Sequence, residues 1–186
     1  MPLIIRPRGV VEAEVLHVLD GATLDEVAHQ ADAHDEAGLV TFEVGASWTH
    51  RRGRVTAYDV TVTLRLFLPV WTRLGDAKPW ERREWNRFMA ALRFHEGGHL
   101  HLARVYARRI HAALGQATPK TFDPVFQREL DILRRRQLAY DSANGHGTRQ
   151  RTPFGSTVFH LDRGVPWQQR KPRLNLRSRR GSGAMA

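Results

Sequence analysis

The chain contains no cysteine among its 186 residues. That absence removes disulfides and thiolate metal ligands together, so any metal must be held by His, Asp or Glu. Long apolar runs are missing too: nothing approaches the roughly eighteen apolar residues of a membrane-spanning helix. The opening Met1-Pro2-Leu3-Ile4-Ile5-Arg6-Pro7 is too short for a signal peptide. The expectation is a soluble chain without an address, cytoplasmic as written. Acids are lacking in the last stretch, where Arg163, Arg170, Lys171, Arg173, Arg177, Arg179 and Arg180 stand without one Asp or Glu. These seven account for most of the net charge of +10 and leave an ordinary +3 elsewhere. Basicity is therefore a property of the tail, which suits nucleic acid or an acidic partner.

Enough apolar content remains, 41%, for one domain with a real core. We place it at residues 1–155, followed by a Pro-, Arg- and Gly-rich tail at 156–186 that is extended or disordered. Val10 to Leu19 reads as a short strand turned by Asp20-Gly21, and Leu24 to about His34 as a surface helix with Asp25 and Glu26 in its first turn. Val40 through Trp48 is β-rich, and Arg51-Arg52-Gly53-Arg54 is a hairpin turn. The partner strand, Val55 to Leu68, alternates Val60, Val62, Leu64, Leu66 and Leu68 with more polar neighbours and ends at Pro69. Pro79 opens a helix of some 35 residues closed by Gly115, with a break expected near Trp80 to Trp85. A second helix starts at Asp123-Pro124 and packs on the first, ending into a tight loop at Tyr140 to Gly147. The three arginines Arg134, Arg135 and Arg136 read as a solvated face.

Within the long helix stands His95-Glu96-Gly97-Gly98-His99, the HExxH pattern. Four helical residues rise about 6 Å and turn about 400°, so the two imidazoles project from one face and can share a metal. They fall in the same row as Trp85, Phe88, Leu92, Tyr106 and Ile110, a stripe that points inward. Two buried histidines one turn apart are costly without a partner, and a metal satisfies both. Zinc takes neutral imidazole, needs no redox chemistry and keeps three protein ligands plus a water in catalytic sites. Glu96 would sit beside that water and take its proton. Gly97 and Gly98 each cost about 1 kcal/mol in a helix interior and imply close approach of a substrate or a strand.

A third ligand must come from elsewhere. Leu102 and Val105 exclude the extended HExxHxxGxxH motif, Glu129 is the one candidate of the gluzincin type, and His101 and His111 lie off the zinc face. His146, between two glycines after the second helix, has the reach.

On His95-Glu96-Gly97-Gly98-His99, on Tyr140-Asp141 followed by His146-Gly147 and Gln150, on Leu68-Pro69-Val70-Trp71 and on Gly21-Ala22-Thr23, the chain resembles a bacterial family of secreted zinc-dependent proteases filed as domain of unknown function family 922 (DUF922). Asn144 stands where that family usually has Thr. The resemblance covers roughly residues 15 to 150. It implies a zincin-like α+β domain in which a small antiparallel β-sheet packs on a long active-site helix and a second packing helix supplies the third zinc ligand. We expect His146 in that role, with Asp141 orienting an imidazole or serving as the alternative ligand and Glu129 behind both. The implied activity is hydrolysis of peptide bonds in a peptide or protein substrate, with Zn2+ as cofactor, Glu96 as general base and Tyr140 donating to the oxyanion. The rival reading is a protein that binds nucleic acid or an acidic partner through its tail, with a structural or vestigial zinc.

Overall fold

A computed structural model describes residues 10–33, 38–147 and 150. The expected boundary at 155 and the basic tail lie outside them. The elements run β1 (Val10–Leu19), α1 (Leu24–Ala33), β2 (Leu39–Arg51), β3 (Arg54–Trp71), α2 (Pro79–Leu114) and α3 (Phe122–Asn144). This is an α+β arrangement with a three-stranded sheet in the order β1-β3-β2.

The sheet is mixed rather than antiparallel. β2 and β3 form the expected hairpin, closed by Arg52 and Gly53 with φ of 51° and 73°. β1, however, runs parallel to β3 from Val10–Val62 to Leu19–Trp71. Alternation marks the faces of a strand and not its direction, and the chain passes through α1 and β2 before returning beside β1. β3 also continues past Pro69, which pairs with His17 of β1. β2 has already ended at the Leu39–Phe67 pair. The missing N–H of Pro69 can thus face a side that no strand occupies among the described residues.

The apolar face of β3 lies on α2. Val60, Val62 and Leu64 are buried against Ala103, Ala107, Ile110 and Leu114, with Phe42, Val44 and Trp48 of β2 beside them. At the other end Leu68, Leu19 and Trp71 meet Leu24, Val27 and Ala28 of α1 and Trp85, Phe88 and Leu92 of α2. Full burial of each such large side chain is worth about 1.5–3 kcal/mol, so these two clusters anchor α2 along its length. No break interrupts its 36 residues. Buried Glu81 fixes the start, accepting bonds from the N–H of Lys78 (2.9 Å) and the N–H of Leu24 (3.1 Å) and so tying α1 to the same end. On the outer edge, Glu12 and Glu14 of β1 reach Arg104 and Arg93 of α2. α3 then packs along α2 through Leu130 and Leu133, which also touch Phe42 and Val44.

Candidate metal centre

One stripe of α3 faces the histidines of α2. Leu130, Leu133, Gln137, Tyr140, Asp141 and Asn144 follow three- and four-residue steps, so the apolar beginning of the stripe docks the helix and its polar end arrives opposite His95 and His99. Tyr140 and Asp141 are helical and do not belong to the loop expected there. A carboxylate on the last helical turns is held by the packing of the whole helix.

His95, His99 and Asp141 come together in a cluster able to hold a metal ion. His95 Nε2 and His99 Nε2 are 3.3 Å apart, and Asp141 Oδ1 lies 3.3 Å from the first and 2.8 Å from the second. Three donors of a tetrahedral ion with bonds of about 2.0 Å must stand roughly 3.3 Å from one another. The two nitrogens and one oxygen therefore suit a small divalent cation.

His146 stands at the border of this cluster. Its Nδ1 is 4.0 Å from Asp141 Oδ1 and its side chain is 54% exposed. Gly145, His146 and Gly147 all have positive φ (56°, 52° and 83°), and the N–H of His146 caps the Asp141 carbonyl at 2.9 Å. The loop thus turns sharply, as the glycines imply, with the imidazole beside Asp141 and about half exposed. Glu129 is elsewhere. It is buried, and its oxygens are taken by Arg109 at 2.7 Å and Arg128 at 3.0 Å. His101 is exposed, and His111 packs on Tyr58. Asn144 donates to the Tyr140 carbonyl at 2.9 Å.

The imidazole nitrogens that point away from the cluster are engaged as well. His95 Nδ1 is 2.9 Å from Gln150 Oε1, and His99 Nδ1 is 2.7 Å from Gln137 Oε1. Gln137 also donates to the His99 carbonyl at 3.1 Å. Tyr140 stacks on the His95 ring, meets the His99 ring edge-on, and donates its hydroxyl to the His95 carbonyl at 3.2 Å. Gln150 in turn donates to that hydroxyl at 2.7 Å. Gln137 was legible only in hindsight, one turn before Asp141. Gln150 lies in a segment without periodicity.

Gly98 has a definite cause. A Cβ built there would stand 2.1 Å from the Tyr140 hydroxyl, so only glycine lets the ring lie flat across α2. The close approach comes from α3, not from a strand. At Gly97 a Cβ would meet nothing within 4 Å among the described residues, and nothing there accounts for that glycine.

The electrostatics match a cation site. Burial would raise the Asp141 carboxyl, but the hydrogen bonds and charge of His95 and His99 hold it far below the usual carboxylate range. Burial would lower His99, yet Asp141, Gln137 and the charge of Glu96 together leave it above the ordinary imidazole value. A metal at the Nε2 atoms would compete with that proton. Burial raises the Tyr140 phenol, and the charges of Glu96 and Asp141 add to the effect against the Gln150 bond. Glu96 itself is 4% exposed. Its charge acts on both His99 and Tyr140.

Among the described residues no helix is long and apolar enough to cross a membrane. Comparison with curated proteins and comparison with solved structures each return no match. Residues 17–147, well over half of the chain, match the bacterial proteins of unknown function grouped as DUF922, and the chain belongs to that family.

Proposed function

We propose that the protein is a zinc-dependent metallopeptidase of zincin type whose metal is held by His95, His99 and Asp141. The observation that carries this is the triangle of donor atoms, two Nε2 and one Oδ1 at 2.8–3.3 Å, with Glu96 buried one residue from the first of them. A zinc ion bound there supplies Lewis acidity, lowering the pKa of a water toward about 7 and polarising a carbonyl. The remaining work falls to the chain. Glu96 takes the proton of the attacking water and returns it to the leaving amine. Asp141 neutralises one charge of the ion and fixes the third ligand direction on a rigid helix. Tyr140 acts differently from the expected oxyanion donor, since its proton is turned to the His95 carbonyl at 3.2 Å. We assign it to holding that ligand residue in place. His146, beside Asp141 and open to solvent, is available to approaching substrate.

Glu96→Gln tests the reading. The amide keeps the shape and cannot accept the proton, so hydrolysis of a peptide library should fall by about 10²–10⁴-fold while zinc binding persists. Full activity in this variant would remove Glu96 from the chemistry, and a wild-type protein that binds zinc yet cleaves nothing would remove the peptidase assignment.

A further inference from the structure

We infer that Gln137 and Gln150 are positioning residues that lock each ligand histidine in the Nδ1–H form through two closed hydrogen-bond rings, each built on a neutral carboxamide. This rests on the metal reading above and concerns what prepares its ligands.

The direction of every bond follows from groups that can only accept. The carbonyl of His99 cannot donate, so the Gln137 amide nitrogen must face it at 3.1 Å. That orientation leaves Gln137 Oε1 against His99 Nδ1 at 2.7 Å, and an amide oxygen can only accept from an N–H. The proton is therefore on Nδ1. The second ring is one residue larger. The His95 carbonyl takes the Tyr140 proton at 3.2 Å, so the Tyr140 oxygen must receive the Gln150 amide N–H at 2.7 Å. Gln150 Oε1 is then fixed against His95 Nδ1 at 2.9 Å, and this nitrogen too carries its proton. Both rings begin and end on the same histidine, holding the ring nitrogen and the backbone carbonyl at once. Neither can be turned over without setting acceptor against acceptor. With each Nδ1 holding its proton, Nε2 is the nitrogen left to face the cluster, where an ion would replace the proton shared with Asp141.

The choice of carboxamide matters chemically. A carboxylate behind an imidazole draws its proton away and makes the ligand more electron-rich, whereas a carboxamide leaves it neutral. With both partners neutral, Asp141 is the one anionic ligand among the three, and the bound ion retains more of its charge for polarising water and carbonyl.

The test uses the full chain and Zn2+ as the probe. Gln137→Met and Gln150→Met keep the size of the side chain and remove the bonds. Each should weaken zinc about 10- to 100-fold in competition with a chelator. In the zinc-loaded wild type, two exchange-protected imidazole Nδ1–H proton resonances should appear by NMR. Gln137→Met should remove protection from that of His99 and spare that of His95, and Gln150→Met should do the reverse. A general loosening of the fold would not produce this crossed pattern. If Gln137→Met fails to fold, Gln150→Met in the terminal segment decides the matter alone. Wild-type affinity with both resonances retained in the variants would overturn the inference and leave the metal reading standing. A wild-type protein that takes up no zinc would overturn both.

Discussion

The two faces of α2 use opposite strategies. Toward the sheet the helix presents Leu92, Ala103, Ile110 and Leu114, all buried among apolar neighbours that need only the right volume. Toward α3 it presents His95, Gly98 and His99, where every polar atom has a directed partner and one glycine is dictated by a neighbouring ring. The first face supplies stability with tolerance. The second spends conformational freedom on geometry, and its errors appear in binding before they appear in folding.

The sharpest way to break this contrast is to damage each face in turn. Leu92→Ala, which empties the side chain that fills the space beside Gly38, should cost about 2–5 kcal/mol of stability by chemical denaturation. Zinc affinity of the folded fraction should change only a few-fold. Gly98→Ala should cost less stability, about 1–3 kcal/mol for an overpacked contact, yet it must push Tyr140 off the His95 carbonyl. Its zinc affinity should therefore drop further than that of Leu92→Ala. The reverse ranking in affinity would mean that the two faces are not separable.

That contrast also explains how much could be read in the sequence. Apolar periodicity reports volume, so α2, the docking half of α3 and the Val60 to Leu68 face of β3 were visible from spacing alone. Direction and partnership leave no such trace. The parallel course of β1 depends on which strand it meets after α1, and the continuation through Pro69 depends on where β2 stops. At the centre, HExxH placed His95 and His99 on one face because its spacing is helical. The third member of the cluster is expected from the loop when α3 ends at Tyr140, whereas the helix runs on to Asn144 and carries Asp141. Once Asp141 is helical, it and Gln137 share one face by the same i, i+4 rule that made the histidines legible.

A smaller effect probes the α2–α3 contact away from the cluster. Burial would raise the Glu129 carboxyl, but Arg109 and Arg128 hold it below its reference value of 4.5. A folded pKa below the unfolded one means that the pair stabilises fully above the unfolded value and loses that contribution as pH falls through the folded value. Glu129→Gln should thus lower Tm at neutral pH, and the difference from wild type should shrink as pH drops below about 4.5. A gap that stayed constant into acid would show that the carboxylate charge contributes nothing.

The central claim is that α3 brings Asp141, and not the loop His146, to the histidines of α2. Isothermal titration of Zn2+ into metal-free wild type, Asp141→Ala and His146→Ala measures it directly. One ion per chain is expected for wild type, with a loss of several orders of magnitude in Asp141→Ala and a change of no more than about 10- to 100-fold in His146→Ala. Near-normal binding by Asp141→Ala together with collapse in His146→Ala would contradict the account and place the third ligand in the loop.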